Sequence, residues 1–422
     1  MEYSPRFQLQ PTQPQQDTLK STLDTVRQVY NHGLYRFNQL PESTGTVKQR
    51  VTQIRNELPE LKNWWDELNK IYSKVLQTTI ERIATNIQRL GQAKQNGHNV
   101  GSLNWKSPRE FKSFTYNQSG FKLDKKSGPE GYGLLKLSKL GDIPIRLHRD
   151  LPDHKTIKEV TVKQEPTGEW FASFCISVDK PEKPTVNNID VEDTVGIDLG
   201  ISNFIVDSHG RSIQRLDLSE NRERLEREQR KLSRKEYDSC NWDSQRQKVA
   251  KVHAQLTNKK SDFKHKIAHF YTTKYDVVCV ENLNVKNMVE GDRNARNMAE
   301  VGWRDFISVL EHHGRKNGCY VISVNPRNTT KECYQCGVET EKPLWVREHS
   351  CPSCGFETDR DLNAALNVLE RGLEKLGVVH SDGMPVETDI SVDSGSVLES
   401  VSANSVVEAG SPVLKEVVST AE

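Results

Sequence analysis

The sequence predicts a multidomain α+β protein, and three observations carry that prediction. Apolar residues keep helical spacing to about residue 103 and then alternate as in strands to about residue 180. From residue 194 to about 375 strand and helix signals take turns, as in an α/β mixed sheet. Within that stretch Cys333, Cys336, Cys351 and Cys354 form C-x2-C-x14-C-x2-C, the spacing of a zinc ribbon.

Taken in order, Arg6–Leu9 predicts a short strand. Leu19, Leu23, Val26, Tyr30, Leu34 and Phe37 recur at three- and four-residue steps. Leu68, Tyr72, Leu76, Ile80, Ile83, Ile87 and Leu90 do the same, so residues 16–103 predict a helical bundle. Residues 111–120, 133–140, 143–148, 157–164 and 170–178 are β-branched or aromatic runs, with Pro166-Thr167-Gly168 in a hairpin. With residues 1–15 they predict a small antiparallel β-barrel over 104–185, ending in a Pro-rich linker at 180–184. Its Lys112, Lys122, Lys125, Lys126, Lys136 and Lys139 fit either a grip on a nucleic-acid backbone or solvated strand faces.

Residues 222–266 hold 14 bases against 7 acids, and Leu225, Leu232, Val249, Val252, Leu256, Phe263 and Ile267 supply an apolar stripe. That predicts a long basic helical hairpin, with Arg230, Lys231, Arg234 and Lys235 as candidate phosphate contacts. Residues 376–422 are rich in Ser and Val and contain no aromatic residue, which predicts a disordered acidic tail.

The formal charge of +1 hides a split. The tail has one base and eight acids, while the remaining 58 bases and 50 acids make the body +8, enough to hold phosphates. No apolar run approaches the roughly 18 residues of a membrane span, and the start Met1-Glu2-Tyr3-Ser4 is not that of a signal peptide. Paired C-x2-C knuckles without secretory context read as metal rather than disulfide, so the expected setting is reducing. Cys175, Cys240, Cys279 and Cys319 stand alone as core or surface residues.

Three carboxylates complete the chemical pattern. Asp198 ends the strand-like Val195-Gly196-Ile197-Asp198, where Val195, Ile197, Leu199 and Ile201 face the other way and Gly196 and Gly200 are expected to leave open space. Glu281 closes the run Val277–Glu281, and Asp361 opens a helix containing Leu362, Ala365, Leu366 and Leu369. Acids in apolar strands need partners. Taken singly, each fits a cap or an ion pair. Together, three hard oxygen donors suit Mg2+ or Mn2+, and a pair of such ions supports phosphodiester hydrolysis without a protein nucleophile. The four cysteines leave no open position on Zn2+, so that ion is structural; an iron–sulfur cluster is the alternative. Arg347 and His349 face either the acids or solvent.

These motifs resemble the TnpB family of transposon-encoded, RNA-guided nucleases related to compact type V CRISPR effectors. The likeness rests on Gly196-Ile197-Asp198-Leu199-Gly200, Glu281-Asn282-Leu283, Cys333-Tyr334-Gln335-Cys336-Gly337, Cys351-Pro352-Ser353-Cys354-Gly355 and the phrase from Asp359 to Ala365. Ser113-Phe114-Thr115-Tyr116, Leu137-Ser138-Lys139-Leu140-Gly141 and Ser239-Cys240-Asn241-Trp242 agree with it, and the likeness spans residues 5–375. It implies a barrel interrupted by the helical bundle, then a RuvC-like ribonuclease H fold over 192–326 and 355–375 that carries the ribbon at 327–354. Asp198, Glu281 and Asp361 become the metal-binding catalytic acids. The implied partners are a noncoding guide RNA from the transposon end and double-stranded target DNA beside a short flanking motif, read near Gln77 and Thr115. The implied setting is the prokaryotic cytosol or nucleoid; the sequence leaves the oligomeric state open, with a monomer favoured. The rival readings are a guided repressor that no longer cuts, an RNA-free transposase or resolvase, and a zinc-stabilised scaffold.

Overall fold

The structure, a computed structural model, describes residues 1–151, 157–283, 302–343, 345–378 and 399–401. The chain divides into two compact units, Met1–Asp179 with Arg246–Lys251, and Lys180–Gln245 with Val252–Glu422. Of the stretch expected as a tail, residues 379–398 and 402–422 lie outside the described residues.

In the first unit, β1 (Glu2–Tyr3) and β2 (Arg6–Leu9) precede four helices: α1 (Gln13–Gln39), α2 (Val47–Asn56), α3 (Leu58–Trp64) and α4 (Ser73–Gln95). The Gln15 side chain accepts a hydrogen bond from Thr12 N at 3.0 Å to start α1. The helix stops where Leu40 turns extended ahead of Pro41. A Cβ at Gly33 would lie 2.5 Å from Ile80 Cδ1, so this glycine lets α4 approach α1. Six strands follow: β3 (Ser113–Asn117), β4 (Phe121–Asp124), β5 (Tyr132–Leu137), β6 (Gly141–Arg146), β7 (Ile157–Gln164) and β8 (Trp170–Ser177).

The antiparallel sheet runs β3-β7-β8-β2-β6-β5-β4, with β1 also on β8. Its two end strands, β3 and β4, are joined through the short turn Gln118–Gly120, so the sheet is nearly closed. Strand β4 has no counterpart in the sequence reading, because its Phe121 and Leu123 alternate over only four residues. Helices and sheet share one core, running from Phe7 through Ile80 to Ile176.

The second unit begins with the meander β9 (Thr194–Asp198), β10 (Asn203–Asp207) and β11 (Arg211–Gln214). The expected hairpin follows as α5 (Ser219–Ser233) and α6 (Cys240–Lys274), with Ser239 Oγ capping α6 by accepting from Trp242 N at 3.1 Å. Helix α5 buries no residue fully. Then come β12 (Val277–Glu281), α7 (Trp303–Asn317) and β13 (Tyr320–Val324). A small hairpin of β14 (Glu348–Ser350) and β15 (Glu357–Asp359) leads into α8 (Arg360–Leu376).

The sheet order is β13-β12-β9-β10-β11-β16, where β16 is Glu399–Val401. β9, β10 and β11 are antiparallel; β12 and β13 continue parallel to β9. For its three residues β16 corrects the expectation of a disordered tail, since its backbone extends the sheet beside β11. The sheet separates two apolar layers. Val195, Ile197, Val278 and Val280 pack with Phe263, Ile267 and Tyr271 of α6 and with Phe306 and Leu310 of α7. Val277 and Cys279 pack with Val368, Leu369 and Leu373 of α8.

Candidate metal and nuclease centre

Strand alternation fixes where the first two acids point. Residues Gly196 and Asp198 share the α8 face of β9, as Val277, Cys279 and Glu281 share that face of β12. The strands pair parallel with Val280 opposite Ile197, so Glu281 and Asp198 are the next residues along adjacent strands, about 5 Å apart at the backbone. Asp361 enters from the start of α8, where Asp359 is the N-cap and accepts hydrogen bonds from Asp361 N at 2.8 Å and Leu362 N at 3.2 Å. All three acids are buried, at 7, 5 and 9% exposure for Asp198, Glu281 and Asp361.

The expected open space beside Asp198 is absent, because helix backbone fills it. A Cβ on Gly196 would lie 2.2 Å from Ala365 O and 2.7 Å from Leu369 N. One on Gly372 would lie 2.1 Å from Cys279 Sγ. These glycines seat α8 directly on β9 and β12. Gly200 serves its own turn, where a Cβ would lie 2.7 Å from Asn203 O.

Burial, then the charges of Glu281 and Asp361, raise the Asp198 carboxyl well above its ordinary range, and Arg360 offsets only part of this. Burial raises Glu281 too, against the Thr329 hydroxyl, which donates to Glu281 Oε1 at 2.6 Å, and the charge of Arg371. Asp361 is already paired with cations. Arg360 donates to Oδ1 at 3.0 Å, and Arg347 donates to Oδ2 at 3.1 Å while its other nitrogen donates to Ser202 Oγ at 2.8 Å. Of the two residues left open by the sequence, Arg347 therefore faces the acids. His349 faces neither acids nor solvent; it is buried beside Phe356, and desolvation lowers it to about 4.

Another buried acid makes a useful contrast. Asp207 accepts hydrogen bonds from Tyr271 OH at 2.9 Å and from the His209 and Arg211 amides at 3.1 and 2.9 Å, and the Arg211 guanidinium forms an ion pair with it at 3.3 Å. Its oxygens are fully used, so it is structural. The carboxylates around Asp198 instead gather negative charge with hard oxygen donors, a donor set that fits Mg2+ or Mn2+.

The four cysteine sulfurs lie within 4.8 Å of one another, a closeness that no other group of three or more His, Cys, Asp or Glu reaches among the described residues. Cys333 and Cys354 are 3.7 Å apart and Cys336 and Cys351 3.5 Å, near the ~3.8 Å that tetrahedral Zn–S bonds require. Each knuckle closes on a glycine at positive φ, Gly337 at 71° and Gly355 at 76°, whose amides donate to Cys333 O at 2.8 Å and Cys351 O at 3.0 Å. The second knuckle sits on the β14–β15 hairpin, and Arg360 N donates to Arg347 O at 2.7 Å. A zinc held there would fix the approach to Asp361.

Sequence reasoning missed the residues that brace this arrangement. Asn363 and Asn367, four apart on one face of α8, each donate to Glu332 O, at 2.7 and 2.8 Å, and Asn363 Oδ1 accepts from Tyr334 N at 3.1 Å. They tie the first knuckle to the helix bearing Asp361, and Asn367 also holds Thr329 O at 2.8 Å, beside Glu281. Their i, i+4 spacing was the available signal.

The candidate nucleic-acid contacts are divided between the two units. In the first unit, Gln77 on α4 and Thr115 on β3 stand on touching elements, since Thr78 Oγ1 donates to Thr115 O at 3.2 Å. In the second, Arg230, Lys231, Arg234 and Lys235 are exposed around the end of α5, with Arg230 3.7 Å from Glu226 and Lys231 2.7 Å from Glu228. No helix among the described residues is long and apolar enough to cross a membrane.

Family models match three segments: "Helix-turn-helix domain" at residues 1–44, "Probable transposase" at 173–292 and "Cas12f1-like, TNB domain" at 303–368. In the first segment, residues 13–39 form one continuous helix. A "Putative RNA-guided DNA endonuclease" of Streptomyces pristinaespiralis is 30% identical over 87% of this chain and 89% of its own length. The "Putative RNA-guided DNA endonuclease InsQ" of Escherichia coli (strain K12) is 27% identical over 91 and 96%. Among solved structures, the Cas12f1-sgRNA-target DNA complex shares the fold, with a TM-score of 0.55 and 16% identity over 85% of this chain and 83% of that one. The chain belongs to the TnpB family, the transposase-related group whose members bear the name RNA-guided DNA endonuclease.

Proposed function

We propose that this protein is an RNA-guided DNA endonuclease of a mobile element, cutting by metal-dependent phosphodiester hydrolysis at Asp198, Glu281 and Asp361. Membership of the TnpB family supports the guided-nuclease reading. One observation carries the site: two adjacent strand ends and one helix start bring three buried carboxylates onto one sheet face. The mixed sheet, with β9 between an antiparallel and a parallel neighbour, supports a RuvC-like ribonuclease H fold.

Divalent ions bound there would activate water and stabilise the departing 3′ oxygen. The chain's part is to hold the donors. Asp198 and Glu281 are fixed by the sheet, Asp361 by its N-cap and the ribbon hairpin, and Thr329 orients Glu281. Arg347 and Arg360 show that the site already draws positive charge. The zinc ribbon is structural, since four thiolates close the coordination sphere. The guide RNA comes from the transposon end and pairs with target DNA beside a short motif. The basic helical hairpin and the lysines on the first sheet then meet phosphates.

The test uses the full-length protein with its copurified RNA. Asp198→Ala should abolish cleavage of a guide-matched plasmid in Mg2+ while target binding persists. Cleavage retained by that variant refutes the site. Absence of any discrete RNA from the purified protein would favour an RNA-free transposase.

A further inference from the structure

The direction of strand β16 decides where the chain goes after it. Glu399, Ser400 and Val401 pair parallel with Arg211, Ser212 and Ile213 of β11, so both strands leave the sheet at the same end. At that end Gln214 pairs with Asn203 of β10, and β11 runs on through Arg215 and Leu216 into α5. A small cavity opens there. Phe204, Leu216 and Phe263, all buried, line its apolar part, and the cations Arg215, Arg222, Lys260 and Lys264 line the rest. No acid lines it. Lys264 donates to Asp305 Oδ2 at 2.8 Å and to Gly302 O at 3.1 Å. Asp217 lies within the field of Arg222 and Arg215, but its oxygens already accept from Ser219 N at 2.9 Å and Ser219 Oγ at 3.1 Å. The complement of such a cavity is an aliphatic side chain with a carboxylate beside it.

We infer that this cavity is a docking site for the chain's own C-terminal segment, the residues that follow Val401. That segment, 402–422, lies outside the described residues, and its sequence has the required chemistry. Val413, Leu414, Val417 and Val418 supply aliphatic groups, with Glu416 among them and Glu408 and Glu422 to either side; Lys415 is its one base. Register supplies the route. The residue after Val401 falls beside Gln214, and two more positions bring the chain level with Leu216, one strand spacing of about 4.8 Å away. The dozen residues from Val401 to Val413 span up to about 40 Å when extended, so reach imposes no limit.

Tethering makes weak contacts sufficient. A flexible link of this length holds the segment near ~1 mM, so an intrinsic dissociation constant of about 0.1 mM leaves it docked roughly ten times as often as free. Docked, it covers the cations at the root of the basic hairpin, and strand β16 is its anchor on the sheet edge.

Hydrogen exchange on the full-length chain, washed free of nucleic acid at high salt and returned to low salt, tests the inference. Two double variants release the segment: Val413→Asp with Leu414→Asp removes the aliphatic groups, and Ser400→Pro with Val401→Pro removes the anchor. Amides between Gln214 and Arg222 should exchange about tenfold faster in both than in wild type. The first variant alters only residues beyond Val401, so the cavity itself stays as it is. Carbodiimide, which joins a carboxylate to an adjacent amine, gives a second measurement. It should couple Lys260 to Glu408, Glu416 or Glu422 in wild type, and several-fold less in the Val413/Leu414 variant, which keeps all three glutamates. Equal exchange in wild type and both variants overturns the docking. So does faster exchange in the Ser400/Val401 variant alone, since the strand pairing would then account for all the protection. Rates that ignore both variants yet slow on adding a single-stranded DNA oligonucleotide would assign the cavity to nucleic-acid phosphates and overturn it too.

Discussion

Gly196→Ala probes the contact on which the carboxylate centre depends. The added methyl would lie 2.2 Å from Ala365 O, 2.7 Å from Leu369 N and 2.8 Å from Leu369 Cβ. Ordinary contact begins at 3.4 Å. Two of the three atoms are helix backbone, so no rotamer relieves the clash, and α8 must withdraw from β9 by about 1 Å. Overpacking of that size costs about 1–3 kcal/mol, and each kcal/mol lowers the midpoint of a unit this large by roughly 2–4 °C. Asp361 lies one turn before Ala365 and moves with the helix. A displacement of about 1 Å in a catalytic group can cost about 100-fold in rate. Thermal unfolding and plasmid cleavage, with target binding as a control, measure both effects. Gly91→Ala is the companion variant. It lies within α4 with nothing inside 4 Å of the added methyl, and should gain about 0.5–1 kcal/mol. Wild-type midpoint and cleavage in Gly196→Ala would refute the close approach of α8 to β9.

Three more outcomes are expected. The Asp198 carboxyl is raised, so the native state keeps a proton that the unfolded chain loses near pH 4, and metal-free stability falls as pH climbs through the raised native value. Asp198→Asn should flatten that slope and raise the midpoint at pH 7 in Mg2+-free buffer; a midpoint at or below wild type counts against it. Arg347→Ala should change stability by less than about 1 kcal/mol, because the arginine side chain is 51% exposed. It should also lower the Mg2+ needed for half-maximal cleavage by freeing Asp361 Oδ2, and a higher requirement would show that the guanidinium assists rather than competes. Cys351→Ser should reduce bound zinc and, by loosening the β14–β15 hairpin, slow cleavage; full activity without zinc would separate the ribbon from Asp361.

Much of this was legible along the chain, because the signals are local. The helix around Leu19–Phe37, the part of the Leu68–Leu90 stripe from Leu76 onward, the strand at Ile157–Gln164 and the paired knuckles each follow from spacings within a few residues, whereas Leu68 and Tyr72 precede the helix, in a separate turn and at its extended cap. The short strand Phe121–Asp124 was not, since it is held by pairing with β5 rather than by its own pattern. The role of Gly196 was misjudged for a related reason. In sequence a glycine beside an acid suggests room, but here the backbone of Ala365 and Leu369, far downstream on α8, takes it.

By itself the sequence determined the chemistry on offer: four thiolates at zinc spacing, three acids in apolar segments and a basic body. Ligand type, spacing and periodicity are covalent properties, and no fold is needed to read them. Tertiary structure alone decided which groups meet. It set Asp198 beside Glu281 through parallel strand pairing, turned Arg347 onto Asp361, spent Asp207 on Tyr271 and Arg211, and laid His265 against His313. Each of those contacts closes a long loop of chain, and its geometry is set by the packing of helices on a common sheet.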